Sequence, residues 1–261
     1  MSGRVITVTS GKGGVGKTTT TANLAMALAS LEKRIIAIDA DIGLRNLDLV
    51  MGLENRIVYD LVDVVEGRCT LRQAMVKHKG YPYLYLIPAS QTRDKTAITP
   101  QNMRAVAMEL KDSYDFILVD SPAGIEWGFK NAIAPADEVL IVTNPDVSAV
   151  RDADRIIGLI ETHDVPIPVR LVINRLKSGM VRKGEMLSVD DIIGLLSIRL
   201  VGVIPEDENV LRSSNQGVAV AGPAGQAFLN LARRLDGEQV PFQSLEITSL
   251  MDRFRRLFNN R

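Results

Sequence analysis

Eight residues, Gly11-Lys12-Gly13-Gly14-Val15-Gly16-Lys17-Thr18, narrow the possible folds of this chain more than any other stretch. They satisfy the pattern G-x-x-x-x-G-K-[ST], between a β-branched run, Val5–Thr9, and a helical pattern, Thr18–Leu31. Glycines let successive backbone N–H groups turn inward around a phosphate, and the following helix adds its positive N-terminus. The pattern assigns Gly11, Gly13, Gly14, Val15 and Gly16 to a phosphate cradle and Lys17 to the β- and γ-phosphates. It gives the Thr18 hydroxyl to Mg²⁺, and Thr19 is placed to donate to the α-phosphate. One lysine satisfies the pattern. Lys12 is a second, and a phosphate loop alone does not require it.

Apolar runs recur along the chain at Val5–Thr9, Arg34–Ile38, Leu84–Ile87, Phe116–Val119, Val139–Val142, Val169–Ile173 and Leu200–Ile204. They are continuous rather than alternating, as expected of strands covered on both faces. Helical patterns separate most of them, at Pro100–Asp112, Ser148–Thr162 and Val189–Ser197. The expected fold is α/β: a doubly wound, mainly parallel sheet of the P-loop NTPase type, with ligands at the carboxyl ends of the strands. One domain is expected through residue 235, then a polar, breaker-containing linker over 236–246 and a terminal amphipathic helix over 247–261.

Formal net charge is zero, which gives no hint of a DNA-coating surface. The single cysteine, Cys69, permits no internal disulfide and reads as a small, partly buried side chain. No apolar run approaches the roughly 20 residues needed to span a bilayer, and the first residues enter a strand-like run directly. A cytoplasmic location is expected. His78 and His163 stand alone and read as surface residues, and Trp127 as a packing residue.

Two strand runs end in carboxylates, one in Asp39-Ala40-Asp41 and the other in Asp120-Ser121-Pro122-Ala123-Gly124. An aspartate at a strand tip beside a phosphate loop can hold Mg²⁺ through water, which suits Asp120. Asp41 falls near the position of an attacking water, with a water-mediated place at the metal. Gly124 has the freedom to move with the γ-phosphate. Each aspartate alone is more often a turn or cap residue; their grouping around one loop favours function. For the base, Asn174 closes a strand run without the Asn-Lys-x-Asp pattern that reads guanine. Asn174 on one side and Pro205, Glu206 and Asp207 on the other point to adenine, hence ATP.

The last segment carries Ile247, Leu250, Met251, Phe254, Leu257 and Phe258 on one helical stripe, flanked by Arg253, Arg255 and Arg256. It is too short to cross a membrane and fits an interfacial helix on an anionic surface. Packing on this protein's own core or on a partner helix remains the alternative. Burying six such side chains yields about 1.5–3 kcal/mol each at most. Ordering the backbone costs about 1–2 kcal/mol per residue. One helix is therefore marginal, whereas two on a dimer gain about 10²–10⁴ in avidity.

The run Lys12–Thr18 resembles the deviant Walker A motif of the ParA/MinD class of P-loop ATPases. Similarity to the division-site-selection branch extends through Asp41-Ile42-Gly43-Leu44-Arg45-Asn46-Leu47-Asp48, Pro88–Lys95, Ser121–Glu126, Asn144–Asp152 and Ile204–Asp207. The resemblance implies that Lys12 crosses an ATP-dependent homodimer interface to the phosphates of the other subunit. It also implies a membrane-targeting terminal helix and reversible attachment to the inner face of the cell membrane. A division inhibitor of the MinC type and an ATPase activator of the MinE type are the implied partners. Arg151, Asp152 and Asp154 are candidate contacts for them. No specific nucleic acid is expected. Two other readings stay open: a DNA-partition ATPase, and a metal-cluster carrier, which usually needs paired cysteines.

Overall fold

The computed structural model describes residues 2–162 and 166–242. His163 and the stripe at 247–261 lie outside the described residues. The strands are β1 (Arg4–Thr9), β2 (Ile35–Asp39), β3 (Val76–Lys77), β4 (Leu84–Ile87), β5 (Phe116–Asp120), β6 (Glu138–Thr143), β7 (Val169–Leu176) and β8 (Arg199–Pro205). They form one sheet in the order β3-β4-β2-β5-β1-β6-β7-β8, parallel except where β3 pairs antiparallel with β4. The central strand is the one that feeds the phosphate loop, with β5 on one side and β6 on the other.

Each continuous apolar run serves two cores. In β1, Ile6 and Val8 face one core and Val5 the other; in β2, Ile35 and Ala37 divide likewise from Ile36 and Ile38. Successive side chains of a strand point to opposite faces, so a strand buried on both faces has no polar alternation. The first core is covered by the helices Lys17–Ser30 and Gly222–Leu235, which supply Leu24, Leu28, Phe228 and Leu231. On the other face Pro100–Leu110 contributes Met103 and Val106, and Val147–Glu161 contributes Ile156, Ile157 and Ile160.

Pro100–Leu110 opens on a reciprocal cap between Thr99 and Asn102, with proline in its first turn. It ends at Leu110, two residues short of the expected Asp112. The edge pair β3 and the short helices Leu47–Val50, Leu61–Val65, Leu71–Ala74, Trp127–Ile133, Ser178–Lys183 and Glu208–Gln216 had no sequence expectation. His78 corrects one: it follows β3 and is buried, not on the surface. Its Nδ1 accepts the Gly80 amide, and burial pushes its pKa down.

Beyond Leu235 the chain stays on the domain. Asp236 pairs with Lys33 at 2.8 Å. Arg234 donates to the carbonyls of Val240 and Pro241 and stacks on Phe242 with its guanidinium 3.8 Å from the ring centre. Among the described residues no helix is long and apolar enough to cross a membrane.

Leu231 is fully buried and in contact distance of Gly202 on β8, where an added Cβ would stand 3.2 Å from it. Leu231→Ala should therefore cost about 2–5 kcal/mol of unfolding free energy in a urea titration. A loss under about 1 kcal/mol would show that this core is not tightly packed.

Candidate nucleotide-binding site

The loop between β1 and the helix Lys17–Ser30 is shaped by close approaches that only glycine permits. A Cβ at Gly11 would lie 2.1 Å from the Asp152 carbonyl, because the loop rests against the helix Val147–Glu161. Gly16 has a φ of 94°, and a Cβ there would meet the Asn174 amide nitrogen at 2.3 Å. That nitrogen donates to the Val15 carbonyl at 2.8 Å. Asn174, expected at the base, thus braces the phosphate loop, and this donor is committed to it. Gly14 also takes a positive φ, and Gly13 lies 3.9 Å from the Ala123 methyl by the same construction.

Lys17 and Thr18 begin the helix; Lys17 is nearly buried. The Thr18 hydroxyl donates to Asp120 Oδ2 at 2.7 Å, and Thr21 donates to Asp120 Oδ1 at 2.9 Å. Thr21 had no sequence role, although a helix turn puts positions 17 and 21 on one face. Asp120 ends β5 directly opposite Asp39 at the end of β2. Both are almost fully buried. Burial and the charge of Asp120 push Asp39 upward, although its carboxylate accepts the amides of Asp41, Asn46 and Leu47. Burial likewise pushes Asp120 up, to about 6, against the pull of Lys17, Thr18 and Thr21. Lys17 offsets part of this cost at Asp120, and a further cation beside Asp120 would offset more.

The oxygen donors Thr18 and Asp120 suit a hard cation such as Mg²⁺, which keeps most of its own waters. Among the described residues no cluster of three or more His, Cys, Asp or Glu could cage a metal, in keeping with that sparse ligation. Asp41 is half-buried; burial raises its pKa while Lys17 and Lys95 lower it. Its Oδ1 is buried without a partner, beside a cavity of about 10 Å³ also lined by Lys95 and Asn131.

Lys12 lies at the exposed rim of the loop, where its Nζ donates to Ser148 Oγ at 2.9 Å. Ser148 in turn donates to Asp146, the cap of the helix Val147–Glu161. That helix also presents Arg151 and Asp154 to solvent, with Asp152 half-buried. Gly124 has a φ of 89° and open space around it. Trp127 is half-exposed and donates to the Ile98 carbonyl at 3.1 Å, a bond shared with Asn131. Of the expected base wall, Glu206 is exposed, and Asp207 caps the helix Glu208–Gln216 through the Asn209 amide while also accepting from Ala224.

A family model described as an AAA domain matches residues 3–167. The septum site-determining protein MinD of Bacillus subtilis is 53% identical over 249 residues, 94% of this chain and 93% of that protein. The solved MinC:MinD cell division protein complex of Aquifex aeolicus contains a chain 49% identical, with a TM-score of 0.84, over 92% of this chain and 98% of that one. MinD of Pyrococcus horikoshii complexed with Mg-ADP is 29% identical with a TM-score of 0.81, over 90% of this chain and 96% of that one. With likeness of this extent, and a phosphate loop whose second lysine sits at its rim, the chain belongs to the MinD family of septum site-determining ATPases.

Proposed function

We propose that this protein binds ATP with Mg²⁺, dimerises across the phosphate loops, and as a dimer attaches to an anionic membrane where it recruits a division inhibitor. Hydrolysis then returns it to the cytoplasm. The observation that carries the reading is Lys12, held at the loop rim by exposed Ser148 and the nearby Asp146 carboxylate rather than turned into the cradle of its own subunit. A lysine so placed can leave Ser148 at little cost and reach phosphates offered by a facing copy. Phosphoryl transfer builds charge on the leaving oxygens, and a cation brought from outside stabilises it as an arginine finger does.

Within one subunit, Lys17 and the amides of Gly13 to Thr19 bind the phosphates. Thr18, Asp120 and Asp41 are the residues that would hold Mg²⁺, which when bound would supply positive charge against the phosphates. Asp41 orients the attacking water. Gly124 carries the γ-phosphate's presence into the exposed residues Ile125 and Trp127. Asn174 and residues 205–207 border the base. The stripe Ile247–Phe258 and its arginines form the membrane element, and residues 236–246 the connection to it. The MinC:MinD complex of Aquifex aeolicus supports an inhibitor of the MinC type as partner. A MinE-type activator completes the cycle; the helix bearing Arg151, Asp152 and Asp154 is the surface we assign to these partners.

Lys12→Ala should retain nucleotide binding yet lose ATP-dependent dimerisation by light scattering and about 1,000-fold of turnover or more, the range for such cations. A Lys12→Ala protein that dimerises and hydrolyses normally refutes the role across the interface. Asp120→Asn should abolish hydrolysis while stabilising the protein free of nucleotide. The folded pKa of Asp120 is raised, so its ionisation penalty is absent below about pH 4 and complete above about pH 6. The variant should accordingly gain about 1–3 kcal/mol at pH 8 and almost nothing at pH 4. Equal effects at both pH values in urea titrations would exclude the buried charge as the cause.

A further inference from the structure

The N-terminal ends of β1, β6, β7 and β8 meet at the sheet edge opposite the phosphate loop. There Arg4, Arg170, Arg199 and Arg234 line an open groove of about 640 Å³. One buried carboxylate, Glu138 at the start of β6, serves two of them: Arg4 approaches it to 3.8 Å and Arg170 more closely still. Arg4 also donates to the Leu235 carbonyl and covers the Phe116 ring, yet its Nε is buried without a hydrogen-bond partner. Arg199 is exposed and makes no ion pair among the described residues. Arg234 is taken up by the carbonyls of Val201, Val240 and Pro241. The acid lining the groove, Glu238, faces Arg233 at 4.0 Å, while Asp236 and Asp137 act on Arg4 from beside it. Positive charge therefore exceeds negative in the groove. Burial pushes Arg4 down, Glu138 resists, and the like charge of Arg170 adds to the lowering.

We propose that this groove is an anion site that takes the phosphate of a lipid headgroup. Guanidinium groups match phosphate oxygens with paired N–H donors, and Arg199 stands at this groove exposed and without an ion pair among the described residues. Val240, Pro241 and Phe242 form a wall of the groove, and in the sequence four residues separate Phe242 from the arginine-flanked stripe that begins at Ile247. The proposal rests on the membrane reading of that stripe, because the stripe would bring headgroups to this edge.

The test uses the full chain, a non-hydrolysable ATP analogue, and phosphatidylcholine vesicles with a stated fraction of phosphatidylglycerol. Arg199→Gln should weaken vesicle binding about fivefold, the contribution of one basic residue near an anionic surface, and Arg199→Glu should weaken it further. ATPase activity without vesicles should be unchanged in both, since Arg199 lies at the far edge of the sheet. Wild-type vesicle binding by Arg199→Glu overturns the groove assignment. Phe254→Asp separates the two ideas. Its normal binding would sink the membrane stripe itself, whereas its loss beside a normal Arg199→Glu sinks only the groove. Two further outcomes overturn the lipid source when vesicle binding is unaffected by Arg199→Glu. One is a Tm raised by millimolar inorganic phosphate in wild type but not the variant. The other is retention of duplex DNA that the variant loses.

Discussion

The site depends on two carboxylates brought together at the tips of neighbouring strands. Asp39 and Asp120 end β2 and β5 in register, both sealed from water; burial makes each charge costly, and the charge of Asp120 adds to the cost at Asp39. Backbone amides meet Asp39, which thereby fixes the turn leading from Asp41 to the helix Leu47–Val50. Hydroxyls from the helix Lys17–Ser30 meet Asp120, with Lys17 close by. Relatively few cations offset the pair. Such a site sacrifices stability to hold a geometry that a metal–phosphate complex can complete.

The phosphate loop is also welded to the surface that faces outward. Gly11 touches the backbone of Asp152, and Lys12 touches Ser148, both on the helix Val147–Glu161. A shift of the loop on nucleotide binding cannot leave this helix undisturbed. The same helix exposes Arg151 and Asp154, so a partner seated there would sense the loop through packed backbone rather than through a distant relay.

The sheet was legible because its strands are buried on both faces, which writes them as unbroken apolar runs. β3 was not, because two residues carry no periodicity and its pairing depends on a strand seven residues further on. Lys17, Thr18 and Asp120 were legible because a phosphate loop demands those groups at fixed offsets. Thr21 was hidden as an ordinary helix residue, and only the approach of β5 gives it a carboxylate to hold. Asn174 was expected at the base from its place at a strand end; its amide also holds the Val15 carbonyl, a cross-chain contact that no local spacing announces. His78 looked like an isolated polar residue and proved buried, since the fold of the edge hairpin, not the residue type, decides its exposure.

Arg234 has a geometric consequence. By fastening Val240 and Pro241 and lying on Phe242, it leaves only four residues, 243–246, between the anchored chain and Ile247. Fully extended, four residues span at most about 14 Å. A lipid-bound stripe would therefore hold the domain almost in contact with the bilayer rather than on a long leash. In a dimer two such tethers would act together, holding both subunits at one small distance from the lipid.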